Sequence, residues 1–151
     1  MKKNKKILSF ITDGTKFLAL YHKGNDPSYG GRFWFTVTGS VEKGEDYETA
    51  VRREIKEETR LDSLEIFSLN WMSIYEWGNE LCEEMNFITL VKRGKIKLNE
   101  EHDKYKWVDL DNFAETIKWR DDKKLLKNVL EKALKKEKYF QKLNLVEHRR
   151  K

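Results

Sequence analysis

Cysteine and proline are nearly missing from this chain: Cys82 and Pro27 stand alone among 151 residues. A lone cysteine cannot close an intrachain disulfide, which suits a reducing compartment, so a cytoplasmic setting is expected. One proline and 8 glycines leave no room for a long Pro/Gly-rich linker, and a single domain over residues 1–151 is expected. Long apolar runs are missing as well. None reaches the ~20 residues that a membrane-spanning helix needs. The start, Lys2-Lys3-Asn4-Lys5-Lys6, lacks the apolar segment of a secretory leader, so no membrane partner is expected. With three histidines and one cysteine, no Cys/His cluster has zinc-site spacing.

What is present is a polar-surfaced chain with material for a core. Hydrophobic and charged residues each make up 38%, and 8 Phe, 6 Tyr and 5 Trp argue against disorder. The net charge of +5 collects at the ends, in Lys2, Lys3, Lys5 and Lys6 and in His148, Arg149, Arg150 and Lys151. These ends read as solvated, flexible tails, with attraction for a small polyanion as the functional alternative. No DNA partner is expected, and an oligomer is left open.

Ile7–Thr12 and Phe17–Tyr21 flank Asp13-Gly14 and predict two strands joined by a tight turn. His22–Gly31 predicts a loop and Phe33–Thr38 a strand. Gly39–Asp46 predicts a second loop, and Tyr47–Thr59 a helix that buries Ala50, Val51 and Ile55 behind an Asp46 cap. Leu64–Tyr75, Met85–Val91 and Tyr105–Val108 predict further strands. From Asp121 onward, Leu125, Leu126, Val129, Leu130, Ala133 and Leu134 recur at helical spacing and predict a C-terminal amphipathic helix. The pattern predicts an α+β or layered α/β fold.

The sharpest feature is Arg53-Glu54-Ile55-Lys56-Glu57-Glu58. On a helix Glu54 and Glu58 stack one turn apart with Glu57 beside them, so three carboxylates face one small volume. Their repulsion must be offset by solvent, an arginine or a cation. Hard oxygen donors suit Mg²⁺. A solvated charged face with intrahelical ion pairs accounts for the same residues.

With the residues before it, the helix resembles the signature box of the Nudix hydrolases. Gly39, Glu45, Arg53, Glu54, Glu57 and Glu58 stand at the box's spacing, with Ile55 and Leu61 at its aliphatic positions; Arg60 replaces the glycine expected near its end. Arg60 can support the helix exit if its φ stays negative. The flanks, Phe33–Glu42, Glu101-His102-Asp103-Lys104-Tyr105-Lys106-Trp107 and Trp119, are similar to the family's bacterial dihydroneopterin triphosphate and dATP pyrophosphohydrolase branch. A run like the second occurs in its diadenosine tetraphosphate hydrolases.

The resemblance implies a Nudix-like α/β/α sandwich with a mixed central sheet, the box helix and the C-terminal amphipathic helix. It implies Mg²⁺, with Mn²⁺ as a substitute, held by Glu54, Glu57, Glu58, Glu101 and the Gly39 carbonyl. It implies a catalytic set of Arg53, Glu54, Glu57, Glu58 and Glu101, with Glu45 and Arg53 paired as structural support. Arg32 and Lys23 are candidates for phosphate contact, or else solvated loop cations. Trp34, Phe35, Trp71, Tyr75 and Trp77 offer a stacking surface or core, and Thr38 joins the substrate-binding expectation. His102 shapes the site or is merely structural, and is not read as a zinc ligand. The expected reaction is water attack on a nucleoside or pterin triphosphate, giving monophosphate and pyrophosphate. The alternatives are a dinucleoside tetraphosphate or RNA-cap-type hydrolase, or a nucleotide- or RNA-binding module.

Overall fold

Apolar residues in the first third of the chain come in short runs, and strands form there: β1 (Lys2–Thr12), β2 (Phe17–His22), β3 (Phe33–Phe35) and β4 (Val37–Ser40). The computed structural model describes residues 2–23, 31–119 and 122–135, and the backbone of 145–149. Helix α1 (Tyr47–Thr59) follows, then β5 (Ser63–Trp77), β6 (Glu80–Val91), β7 (His102–Val108), α2 (Leu110–Thr116), α3 (Lys123–Leu134) and β8 (Leu145–Arg149). The β1–β2 turn forms at Asp13-Gly14. Gly14 has φ 103°, and Asp13 Oδ1 accepts from the Thr15 and Lys16 N–H groups at 2.9 and 2.8 Å.

The strands build one mixed sheet in the order β3-β2-β1-β6-β5-β8, with β4 paired to β1 and β7 to β2. β1 is parallel to β6 and antiparallel to β4. Its run Ile7–Ile11 is fully buried because both faces are covered. Ile7 and Ile11 join Leu18, Leu20, Val37, Val51, Ile55 and Phe87 on the α1 side. Leu8 and Phe10 join Phe17, Trp71, Phe113, Trp119, Leu126, Val129 and Leu130 on the α2/α3 side. The expected α/β/α sandwich is therefore the fold. Among the described residues, no helix is long and apolar enough to cross a membrane.

Several elements depart from their predicted bounds. The basic start is no tail: Lys2, Lys5 and Lys6 lie in β1 opposite Glu80, Glu83 and Glu84 of β6. The parallel ladder carries both polar runs as strand, with Asn4 Nδ2 donating to Glu80 Oε2 at 3.0 Å, so β6 begins five residues before the predicted Met85. At the other end Leu145–Arg149 runs parallel to β5. The predicted strand Phe33–Thr38 divides at Thr36, whose hydroxyl donates to Ser9 O at 2.6 Å, so β3 follows β2 while β4 follows β1. Helix α2 has no counterpart among the elements the sequence predicts. Asp109 caps it by accepting from Asn112 N–H at 2.9 Å, and it delivers Phe113 against Phe10 and Phe17. Residues 24–30 of the predicted loop, Asp121, Arg150 and Lys151 lie outside the described residues.

Arg60 ends α1 with φ 69° and ψ 8°, its N–H donating to Lys56 O at 2.9 Å. The negative φ on which its support of the helix exit is conditional is not adopted. It takes the left-handed conformation of a glycine cap, which costs a side-chain-bearing residue about 1–2 kcal/mol. Arg60→Gly should therefore raise stability to denaturant by about 1 kcal/mol; a lower urea midpoint would contradict this reading of the helix exit.

Candidate active site

The site is built where the loop before α1, the helix itself and the start of β7 meet. Gly44, with φ 81°, turns the loop so that Glu45 N–H donates to Glu42 O and Glu45 Oε1 accepts from Glu42 N–H, both at 3.0 Å. Asp46 then caps α1, as expected, accepting from Thr49 N–H at 2.8 Å. Ala50, Val51 and Ile55 are fully buried against the sheet, which fixes the helix's rotation, turns Glu54 toward Gly39 of β4 and leaves Arg53 and Glu57 nearer solvent.

Arg53 joins these parts. Its Nε and Nη2 donate to the two Glu45 carboxylate oxygens at 2.8 and 2.9 Å, a bidentate clamp. Nη2 also reaches Ser40 O at 3.0 Å, and Nη1 reaches Glu54 Oε1 at 2.7 Å and Glu57 Oε2 at 3.5 Å. The hydrogen bonds from Arg53 pull the Glu45 carboxyl down to about 2. A Cβ at Gly39 would overlap the Glu54 carboxyl, so a side chain there would push Glu54 out of its place. The chain thus brings β4 directly against the acidic helix.

The three box glutamates do not share one environment. The Glu57 side chain is 56% exposed, Glu54 is 13% exposed and Glu58 is 2% exposed. Burial pushes the Glu58 carboxyl well up, reinforced by Glu54, Glu101 and Glu57. Its Oε2 is buried with no hydrogen-bond partner among the described residues.

Glu101 reaches this carboxyl from a distant part of the sequence, and three contacts hold it there. Lys23 N–H donates to Glu101 O at 2.9 Å; Glu101 N–H donates to Asn99 Oδ1 at 3.1 Å; Lys97 N–H donates to Thr59 O at 3.1 Å, tying the connecting segment to the end of α1. Burial, and then Glu54 and Glu57, raise the Glu101 carboxyl. Beside it His102 is buried, with Nδ1 3.8 Å from Glu58 Oε1. Burial drives that imidazole down to about 4, so it is neutral at pH 7. Donor atoms of Glu58, Glu101 and His102 all lie within 4.8 Å of one another.

This donor set fits a divalent cation. It offers hard carboxylate oxygens, one buried without a hydrogen-bond partner among the described residues, and a mutual repulsion that Arg53 offsets at Glu54 and Glu57 and Lys6 eases at Glu101. Glu54, Glu58 and Glu101 come together, with Glu57 at the open rim. The substrate candidates are not drawn into the cluster. Arg32 is exposed and pairs with Asp103 at 3.3 Å. Lys23 contributes the backbone contact above. Trp34 packs on the α2/α3 side, with Tyr21 5.1 Å from its ring and Lys106 Nζ over it at 4.5 Å. Thr38 pairs with Leu8, whose side chain belongs to that same side. Trp71 is wholly buried core, and Phe35 packs against that core. Cys82 is buried, which raises its thiol. The Lys97–Thr59 tie and the approach of His102 to Glu58 had no local signal, because both join residues far apart in sequence.

Residues 2–129 match the NUDIX domain family. Over 145 residues the chain is 28% identical to the dihydroneopterin triphosphate diphosphatase of Haemophilus influenzae, covering 85% of this chain and 89% of that protein. It is 29% identical over 96 residues to the NAD-capped RNA hydrolase NudC of Mannheimia succiniciproducens; the match covers 63% of this chain and spans 35% of the length of that relative. The structure is similar to that of the E. coli dihydroneopterin triphosphate pyrophosphohydrolase, with a TM-score of 0.63 and 26% identity, covering 84% and 95% of the two chains.

The Glu45–Arg53 clamp has a pH signature. The folded carboxyl titrates at about 2 against an ordinary 4.5, so its contribution to stability is complete above pH 4.5 and fades as pH falls from there toward 2. Glu45→Gln should lower the melting temperature at pH 7, with the gap to wild type narrowing across that window. A gap that stays constant down to pH 2.5 would contradict the clamp's ionic character.

Proposed function

Because the chain belongs to the NUDIX family, a family of hydrolases, we propose that it cleaves a nucleoside or pterin triphosphate to the monophosphate and pyrophosphate with the help of Mg²⁺ or Mn²⁺. The observation that carries this reading is the buried Glu58 carboxyl, set beside Glu54 and Glu101 without a counter-charge of its own. The similarity to a dihydroneopterin triphosphate diphosphatase along 85% of the chain supports the choice of substrate class.

Glu54, Glu57, Glu58 and Glu101 would hold the cation, with the Gly39 carbonyl as a further oxygen. When bound, the cation neutralises phosphate charge and makes water more acidic. Arg53 positions Glu54 and holds the loop through Glu45, so the oxygens are preorganised before substrate arrives. Water adds to phosphorus as the phosphoanhydride bond breaks; its proton passes to a carboxylate and the leaving phosphate carries off the bonding pair. A carboxylate beside the attacking water takes that role, with Glu57, Glu58 and Glu101 as its candidates. Glu57, open to solvent, stands where an incoming phosphate chain can be met.

A substrate panel with Mg²⁺ or Mn²⁺ and chromatographic product identification tests this. Pyrophosphate should be released from dATP, other nucleoside triphosphates or dihydroneopterin triphosphate. Glu57→Gln and Glu58→Gln should each lower turnover by about 10²-fold or more while circular dichroism stays unchanged. Preference for a dinucleoside tetraphosphate or capped RNA would move the assignment within the family. Tight ligand retention with no turnover would replace it with a binding role.

A further inference from the structure

His102 is a nitrogen donor set into an oxygen site. It opens β7, pairs with His22 of β2 and is 3% exposed. Its ring is braced edge-on against His22, with centroids 5.5 Å apart at 88°. His22 in turn stacks on Phe33 at 5.0 Å and 9°. This brace holds Nδ1 facing Glu58 Oε1 at 3.8 Å, too far for a hydrogen bond. Among the described residues Nδ1 is buried with no hydrogen-bond partner, and so is Glu58 Oε2. Two buried polar atoms left unsatisfied beside each other are costly, and the arrangement is accounted for if a third body satisfies both.

The spacing suits an ion. A divalent cation binding its donors at about 2.0–2.2 Å places neighbouring donors about 3 Å apart and opposite donors about 4.2 Å apart. The 3.8 Å between Nδ1 and Glu58 Oε1 falls between these limits. The outer limit of 4.8 Å for the Glu58, Glu101 and His102 donors comes into range with a small swing of the exposed Glu101 side chain.

We propose that His102 Nδ1 is a direct ligand, with Glu58 and Glu101, of one divalent cation, making this position a mixed nitrogen–oxygen site that favours Mn²⁺ and similar transition ions over Mg²⁺. The proposal rests on the reading that the carboxylates hold cations and adds a ligand to that set. Imidazole is a borderline donor that binds transition ions better than Mg²⁺. With the proton on Nε2, the neutral ring presents its lone pair at Nδ1. The His22 brace fixes the ring plane as an outer-shell partner usually does for a ligating histidine.

Pulsed EPR of the full-length protein loaded with Mn²⁺ alone reads the contact directly, and the continuous-wave spectrum counts the bound ion. Wild type should show ¹⁴N modulation that converts to a ¹⁵N pattern when its histidines are labelled. The modulation should persist in His22→Gln and vanish in His102→Gln. In His102→Gln the Mn²⁺ dissociation constant should rise about tenfold, while that for Mg²⁺ moves less than about twofold. Mn²⁺ that binds in wild type and is lost in Glu58→Gln, yet carries no nitrogen coupling, would overturn the His102 ligand and leave the carboxylate site standing. Failure of wild type to bind Mn²⁺ at all would overturn both. Coupling that survives in folded His102→Gln would assign the nitrogen elsewhere. Should His102→Gln not fold, His102→Asn read in the same way decides between the same outcomes.

Discussion

A carboxyl with 2% of its side chain exposed, packed near two other carboxyls, is a position that a fold does not reach for stability. Burial penalises the charge of Glu58, and Glu54 and Glu101 add repulsion. The surrounding structure must therefore hold the group in place by other means. Ile55, three residues before it, is fully buried against the sheet, and Thr59, one residue after it, is buried with its hydroxyl donating to Ile55 O at 2.7 Å. Glu58 sits between these anchors, which hold its backbone in place.

The remaining construction supports that arrangement. Arg53 satisfies Glu45 and Glu54 together, so the loop and one helix carboxylate share a counter-charge. Gly39 lets β4 approach closely enough for Glu54 to lie flat against it. The Lys97–Thr59 hydrogen bond and the pairing of β7 with β2 bring Glu101 and His102 in from the other end of the fold. Each contact places a donor atom at one point, and the packing on both sheet faces gives that point rigidity. The energy of folding comes from the two apolar layers; the acidic pocket is sustained at their expense.

How much of this could be read from the sequence depended on the range of the interaction involved. The box helix was legible because its spacing and its Asp46 cap are local, and both stand where the residues implied. The two-faced sheet was legible because β1 and β2 carry apolar residues on consecutive positions. The extensions of β1 and β6 were not, because Lys2–Lys6 and Glu80–Glu84 look like solvated charge until they are set side by side. Helix α2 carries Asp109 as a cap and Phe113-Ala114 as a buried pair, a signal too short to separate from a loop. The left-handed Arg60 has no signature beyond a missing glycine. The pairing of His102 with Glu58 depends on strand register, and no local pattern encodes it.

The central claim is that Glu58 destabilises the metal-free fold and that a divalent cation relieves it. Thermal unfolding of wild type and Glu58→Gln, each in chelator and in Mg²⁺ without substrate, tests this most directly. In chelator Glu58→Gln should melt above wild type, because the amide removes a buried charge and keeps its volume. At a hundredfold excess over Kd, Mg²⁺ should stabilise wild type by about 2.7 kcal/mol, roughly 5–10 °C for a chain of this size, and should leave Glu58→Gln nearly unmoved. A Glu58→Gln protein that melts below wild type in chelator, together with a wild type indifferent to Mg²⁺, would contradict the account.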